Sequence, residues 1–237
     1  MTEMIQDLYT ESSVAQHKLG ELYIDPYGRK FRYAQAGGSN LVTGNLLQEA
    51  AEDANFRSMA VQAAVAIGEL DIPVTLGGTA VTANMFECGD LVVESSTGIG
   101  QVFKIERHSV QTSTSGTCTF YVDHAVKIAL TTSSQVSVRK SAYDGVIQSP
   151  VTTQTGRIVG VALYAMTAGY YGWIQSGGDC AVLMDAGTNT ANDLMAIIPS
   201  VGTAGSAEGT TDTNRIGQIR EVVSTDSTMN FATLNID

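Results

Sequence analysis

An all-β fold built of antiparallel barrel or sandwich modules, preceded by a polar N-terminal arm, is what this sequence predicts. Three observations predict it. Apolar runs are short, and turn residues separate them about every eight to twelve positions. Among 237 residues there are 24 Gly and only 4 Pro, a composition that favours turns and strands over helices. The stretch Gly156–Gly187 then reads as an antiparallel meander of three strands. Ile158, Val159, Val161 and Leu163 form the first strand, with Gly160 marking one close backbone approach. Thr167-Ala168-Gly169 is turn chemistry, Tyr170–Ile174 a second strand, and Ser176-Gly177-Gly178-Asp179 a second turn before Ala181–Met184.

From the N-terminus, residues 1–18 read as a polar arm that orders against a partner. Residues 19–151 read as a β-rich domain and 152–237 as a barrel-like module, with Thr152–Thr155 as the hinge. Leu22–Ile24 and Phe31–Tyr33 flank Asp25-Pro26-Tyr27-Gly28, where Pro at the second position and Gly at the fourth suit a type I turn in a hairpin. Gly37-Gly38-Ser39-Asn40 is a loop. Leu46, Leu47, Ala50, Ala51 and Ala54 share one side of a short helix over residues 44–55. Alanine content invites a helix over Met59–Ile67, yet Met59, Val61, Ala63, Val65 and Ile67 alternate, so a strand is the reading. Thr82–Gly89 is one helical turn closed by glycine. Strands follow at Asp90–Glu94, at Gln101–His108 with an edge-like pattern, and at Thr117–Val122, Gln135–Val138 and Val146–Ile147. Beyond the meander come strands at Asp193–Ser200, Arg215–Val223 and Asn230–Asp237, with Val201–Asn214 as a Gly/Ser/Thr-rich loop.

A formal net charge of −11 argues against nucleic acid and anionic membranes as partners. No apolar run approaches the roughly 18 residues of a membrane span, and the first residues lack the pattern of a secretory signal. Cys88, Cys118 and Cys180 are odd in number and far apart, and read as free buried thiols of a reducing cytoplasm. No catalytic motif of the hydrolase, zinc-protease or phosphate-loop kind is present, so no catalytic residue, metal or cofactor is expected. Thr97-Gly98-Ile99-Gly100 is a plain turn, and His17, His108 and His124 lack ligand spacing. Asp123-His124 has no partnered nucleophile. Asp185, Asp193 and Asp212 sit in Asn/Thr/Gly-rich text that suits weak Ca²⁺ binding, although turn formation is the commoner use. Tyr170, Tyr171 and Trp173 are the suspected interface: they suit a sugar platform, a protein contact or plain core. Alternation sets Tyr171 and Trp173 on one face, opposite Gly172 and Ile174, and that face is expected to be buried.

Several stretches carry a resemblance: the text GVALYAMTAGYYGWIQSGG within Gly156–Gly187, RIGQI at 215–219, Leu19–Gln48, Val74–His108 and Tyr143–Pro150. Together they resemble virion structural proteins of tailed bacteriophages, most of all the capsid decoration or cement proteins. The resemblance implies a β-rich homotrimer seated on the major capsid protein, outside an icosahedral head, in a protein made in the host cytoplasm. A receptor- or glycan-binding fibre or tail module is the alternative, because Gly/Thr-rich β text with exposed aromatics also suits that use. An acidic surface would keep free copies apart before they meet the shell.

Overall fold

A computed structural model describes residues 5–151, 153–185, 196–199, 204–210, 216–221, 225 and 227–237. Strand is the dominant element among them, with no α-helix, so the all-β expectation holds. The chain forms two compact units, one of residues 1–51 with 142–237 and the other of residues 52–141. These divisions fall at 51/52 and 141/142, not at 18/19 and 151/152. The second unit is an insertion within the first, and residues 152–155 lie inside a unit.

In chain order the first unit begins with β1 (Leu22–Ile24), β2 (Lys30–Gln35) and β3 (Leu46–Gln48). The second unit holds β4 (Met59–Ala60), β5 (Asp71–Thr75), β6 (Asp90–Ser95), β7 (Val102–His108), β8 (Thr117–Val122) and β9 (Gln135–Arg139). The first unit resumes with β10 (Ile147–Gln148), β11 (Ile158–Ala162) and β12 (Tyr171–Met184). It ends with β13 (Ala196–Pro199), β14 (Ala207–Thr210), β15 (Gly217–Ile219) and β16 (Thr228–Asn235).

The first unit is built on β12. The expected turn at Ser176–Asp179 does not exist, because β12 runs through it unbroken for 14 residues. Gly178 takes φ +79°, which only glycine adopts at low cost, and the register against β2 shifts between Gln175 and Gly177. A bulge therefore stands where local sequence reads a turn. It lets β12 change partners: β2 pairs with its first half, from Tyr171↔Gln35 to Gly177↔Lys30, and β16 with its second, from Gly177↔Asn235 to Met184↔Thr228. The β12–β14–β13–β15–β16 pairings then return to β12 and close a small barrel. Cys180, Val182, Met184, Ala207, Ile219, Ala232 and Leu234 form its core. One pairing in this ring, Met184↔Ala207, is parallel. The strand β14 lies inside what the sequence reads as a loop.

On β11, Gly160 makes the close approach its position implies: a Cβ there would stand 2.8 Å from the Gln175 carbonyl oxygen. The helix expected over 44–55 is absent. Leu46, Leu47 and Gln48 are all buried in β3, which pairs with both β10 and β11, so a ladder on each side overrides a marginal helix. Only a 3-10 turn at Ala54–Phe56 remains, capped by the Asp53 carboxylate, which accepts from Asn55 N at 2.9 Å.

The second unit runs β4-β9-β6-β7-β8-β5, and a bridge between Val61 and Val74 brings its two ends together. Phe56, Ile72, Leu91, Phe103, Phe120 and Val136 are among its core side chains. Only Met59 and Ala60 of the alternating 59–67 run are strand; Val61 and Val65 make single bridges, and Ala63 and Ile67 face solvent. The strand β7 pairs with both β6 and β8, so it is no edge, and a bulge between Ile105 and Arg107 turns His108 inward. Thr82–Gly89 is a run of turns rather than a helix. Gly89 is required by contact instead, since a Cβ would lie 2.1 Å from the Arg139 carbonyl oxygen.

Candidate functional site

The suspected aromatic interface turns out to be the seat of the chain's own N-terminal segment. Pairing with β2 sets Trp173 opposite Tyr33 and Tyr171 opposite Gln35. Alternation then sends Trp173 to the cluster of Phe31 and Tyr33, and Ile174 to a different core with Val159 and Met166. Trp173 is 1% exposed, while Tyr170 and Tyr171 are half-buried. The expected burial of the Tyr171–Trp173 face is thus met within one chain.

Residues 5–18 complete that cover. The arm does not wait for a partner: Ser12 and Tyr171 exchange both backbone hydrogen bonds, at 3.0 and 2.8 Å. Trp173 Nε1 donates to the Gln6 carbonyl at 3.0 Å, and Tyr33 Oη donates to Gln6 Oε1 at 2.7 Å. Gln6 Nε2 donates to Tyr171 O at 3.1 Å. The Glu11 carboxylate accepts from Thr167 N and Thr167 Oγ1, at 2.6 and 2.8 Å, and Tyr164 Oη donates to Thr10 O. The His17 ring lies 4.9 Å from the Trp173 ring and 5.2 Å from that of Tyr33, with Nδ1 against the Glu21 carboxylate at 3.2 Å. Burial raises the Tyr164 phenol above its ordinary value. A polar-looking segment is held because buried donors such as an indole N–H must find acceptors. Leu8 and His17, apolar or ring-bearing amid polar text, are the sequence signal that points to docking.

A second rigid feature is the β1–β2 hairpin. Gly28 N donates to Asp25 O at 3.1 Å, and Gly28 takes φ +83°. Asp25 Oδ1 accepts from Tyr27 N and Arg29 N, both at 2.9 Å, and Oδ2 from Arg29 Nε at 2.7 Å. Burial would raise this carboxyl, but the Arg29 pair and the two backbone donors outweigh it and hold it below the usual carboxylate range. The tip side chain, Tyr27, is left 88% exposed on a fixed backbone.

The other singled-out residues serve structure. His108 is buried; Nε2 accepts from Phe86 N at 3.0 Å, so the proton sits on Nδ1, which donates to Ser109 O at 2.9 Å. Asp123 Oδ1 accepts from Lys104 N at 3.0 Å and faces His124 Nδ1 at 2.8 Å, while the His124 ring stacks on Phe103. Cys118 and Cys180 are buried free thiols, pushed up by burial to about 11 and about 12, and Cys88 is half-buried. Thr97–Gly100 is a turn with Gly98 and Gly100 at positive φ. Asp185 is buried and accepts from Ser206 Oγ at 2.9 Å; Asp193 and Asp212 lie outside the described residues. Among the described residues no group of three or more His, Cys, Asp or Glu side chains is placed to hold a metal. No helix among them is long and apolar enough to cross a membrane, which leaves β-barrel spans aside.

Compared with known proteins, the chain matches no family model, no curated protein and no solved structure. What defines it is therefore its own architecture: an all-β chain with an aromatic cleft strapped by its first residues.

Proposed function

We propose that this chain is a structural protein of a phage virion, binding the outside of an icosahedral capsid as a decoration or cement protein that stabilises the head. The motif resemblance brings the reading, and one observation of the geometry supports it best. Tyr27, a residue type that dominates contact energies, is presented almost fully exposed on a turn locked by Asp25 and Arg29. A rigid contact side chain loses little conformational entropy on binding, which suits a protein whose work is adhesion. In this reading the partners are the major capsid protein and further copies of the chain, as a homotrimer. Multivalent attachment then needs no single strong contact. The glycan-platform alternative asks for an open Trp173, and that ring is covered.

Cryo-EM of particles from cells carrying the gene tests the reading. The expected result is density for this chain at many copies over the outer shell. Density confined to the tail, or none on the particle, overturns it. Light scattering of the purified chain should give a multiple of the 25.0 kDa monomer, and a monomer mass at micromolar concentration removes the homotrimer.

A further inference from the structure

The arm that closes the aromatic cleft has the properties of an exchangeable element. The hydrogen-bonded anchors of Gln6, Thr10, Glu11 and Ser12 outside the arm lie on the first residues of β12, on β2 or on the 163–167 segment, and Tyr9 meets Arg29 beside β2, so the cleft is complete in each copy without its own arm. Regular backbone pairing is confined to the single Ser12–Tyr171 bridge. The link that follows, Ser13 to Ala15, is solvent-exposed, and its side-chain hydrogen bonds are local ones among Ser12, Val14 and Gln16. The docked arm also leaves an apolar set uncovered: Ile5 is 72% exposed, Tyr9 59% and Val14 65%.

We infer that residues 5–12 exchange between copies, the cleft around Tyr33, Tyr171 and Trp173 being a homotypic binding site for the arm of a second copy. The contacts made in trans are those already made in cis, so exchange gains no penalty at the cleft and opens only the exposed link. A tethered arm sees its own cleft at an effective concentration on the order of millimolar, so the closed form prevails in dilute solution and exchange grows where copies crowd together. The inference rests on the reading above only in requiring that copies assemble.

Two chains test it, each lacking Cys88 through Cys88→Ser. One carries Glu11→Cys and a mass tag; the other carries Thr167→Cys. Both substituted positions are exposed, and their side chains meet only when an arm sits in a cleft. With Cys118 and Cys180 buried, each folded chain presents one accessible thiol and does not cross-link within itself. Mixed at high concentration with a short bismaleimide, they should give a tagged heterodimer on a denaturing gel, and adding Ser12→Pro to the first chain should abolish it by removing the Ser12 N–H that Tyr171 O accepts. Absence of the heterodimer from a sample whose light scattering shows an assembly overturns exchange and leaves the homotrimer standing. A heterodimer indifferent to Ser12→Pro reports collision and overturns exchange as well. A monomer mass at every concentration, with no heterodimer, overturns both.

Discussion

His108 shows what a buried titratable side chain does when it has no chemistry to perform. It sits among Phe86, Phe120 and Cys118 and spends both ring nitrogens on backbone partners. Burial lowers its pKa, against a smaller opposing effect of the Ser109 carbonyl. The unfolded imidazole titrates near about 6.5, so between that value and the lower folded one the unfolded chain holds more protons. Stability contributed by the neutral ring is therefore full above about pH 6.5 and is lost as pH falls through the folded pKa. The thermal midpoint should begin to drop below about pH 6.5, ahead of the carboxylate limb near about pH 4. A midpoint flat over that range, with a His108 NMR titration at the unperturbed value, would contradict this.

At the scale of the element, β12 carries the first unit. Its two glycines at 177 and 178 are the hinge of its pairing, not a chain reversal, and Gly178 holds a backbone angle that a side chain resists. A Cβ there would also stand 3.0 Å from Arg29 Cα. Gly178→Ala should cost about 1–2 kcal/mol through the left-handed conformation alone. For a chain of this size that lowers the thermal midpoint by roughly 2–8 °C. Differential scanning calorimetry checks it, with Gly38→Ala as control, since a Cβ at Gly38 meets nothing and its φ is not positive. Equal midpoints for the two variants would mean that the bulge is not a strained position.

At the scale of the molecule, the insertion of residues 52–141 leaves a narrow base. Gln48 pairs with Ile147, and a Cβ on Gly145 would lie 3.8 Å from that of Ala50, so the two ends of the outer unit are adjacent. Each unit has its own core, which is what independent folding requires. Replacing residues 52–141 by a short Gly-rich hairpin linker should leave the outer unit folded, with the emission of Trp173 still that of a buried indole. A red-shifted emission, or loss of the cooperative melt, would show that the outer unit depends on the inserted one.

Local chemistry by itself determined the all-β class, the Asp25–Gly28 turn and strands such as Thr117–Val122, because alternation and turn residues act within a few positions. It also marked Gly160 as a close approach and Trp173 as buried, since period two and the absence of a Cβ are visible in the letters. Only the tertiary structure decided that Ser176–Asp179 continues a strand, that Leu46–Gln48 is strand and not helix, and that the polar first residues lie on Trp173. Each depends on partners far away in sequence: β2 and β16 for β12, β11 for β3, Tyr171 for Ser12. A ladder on both sides of a segment outweighs a propensity of a few tenths of a kcal/mol per residue, and no window of local sequence contains the ladder.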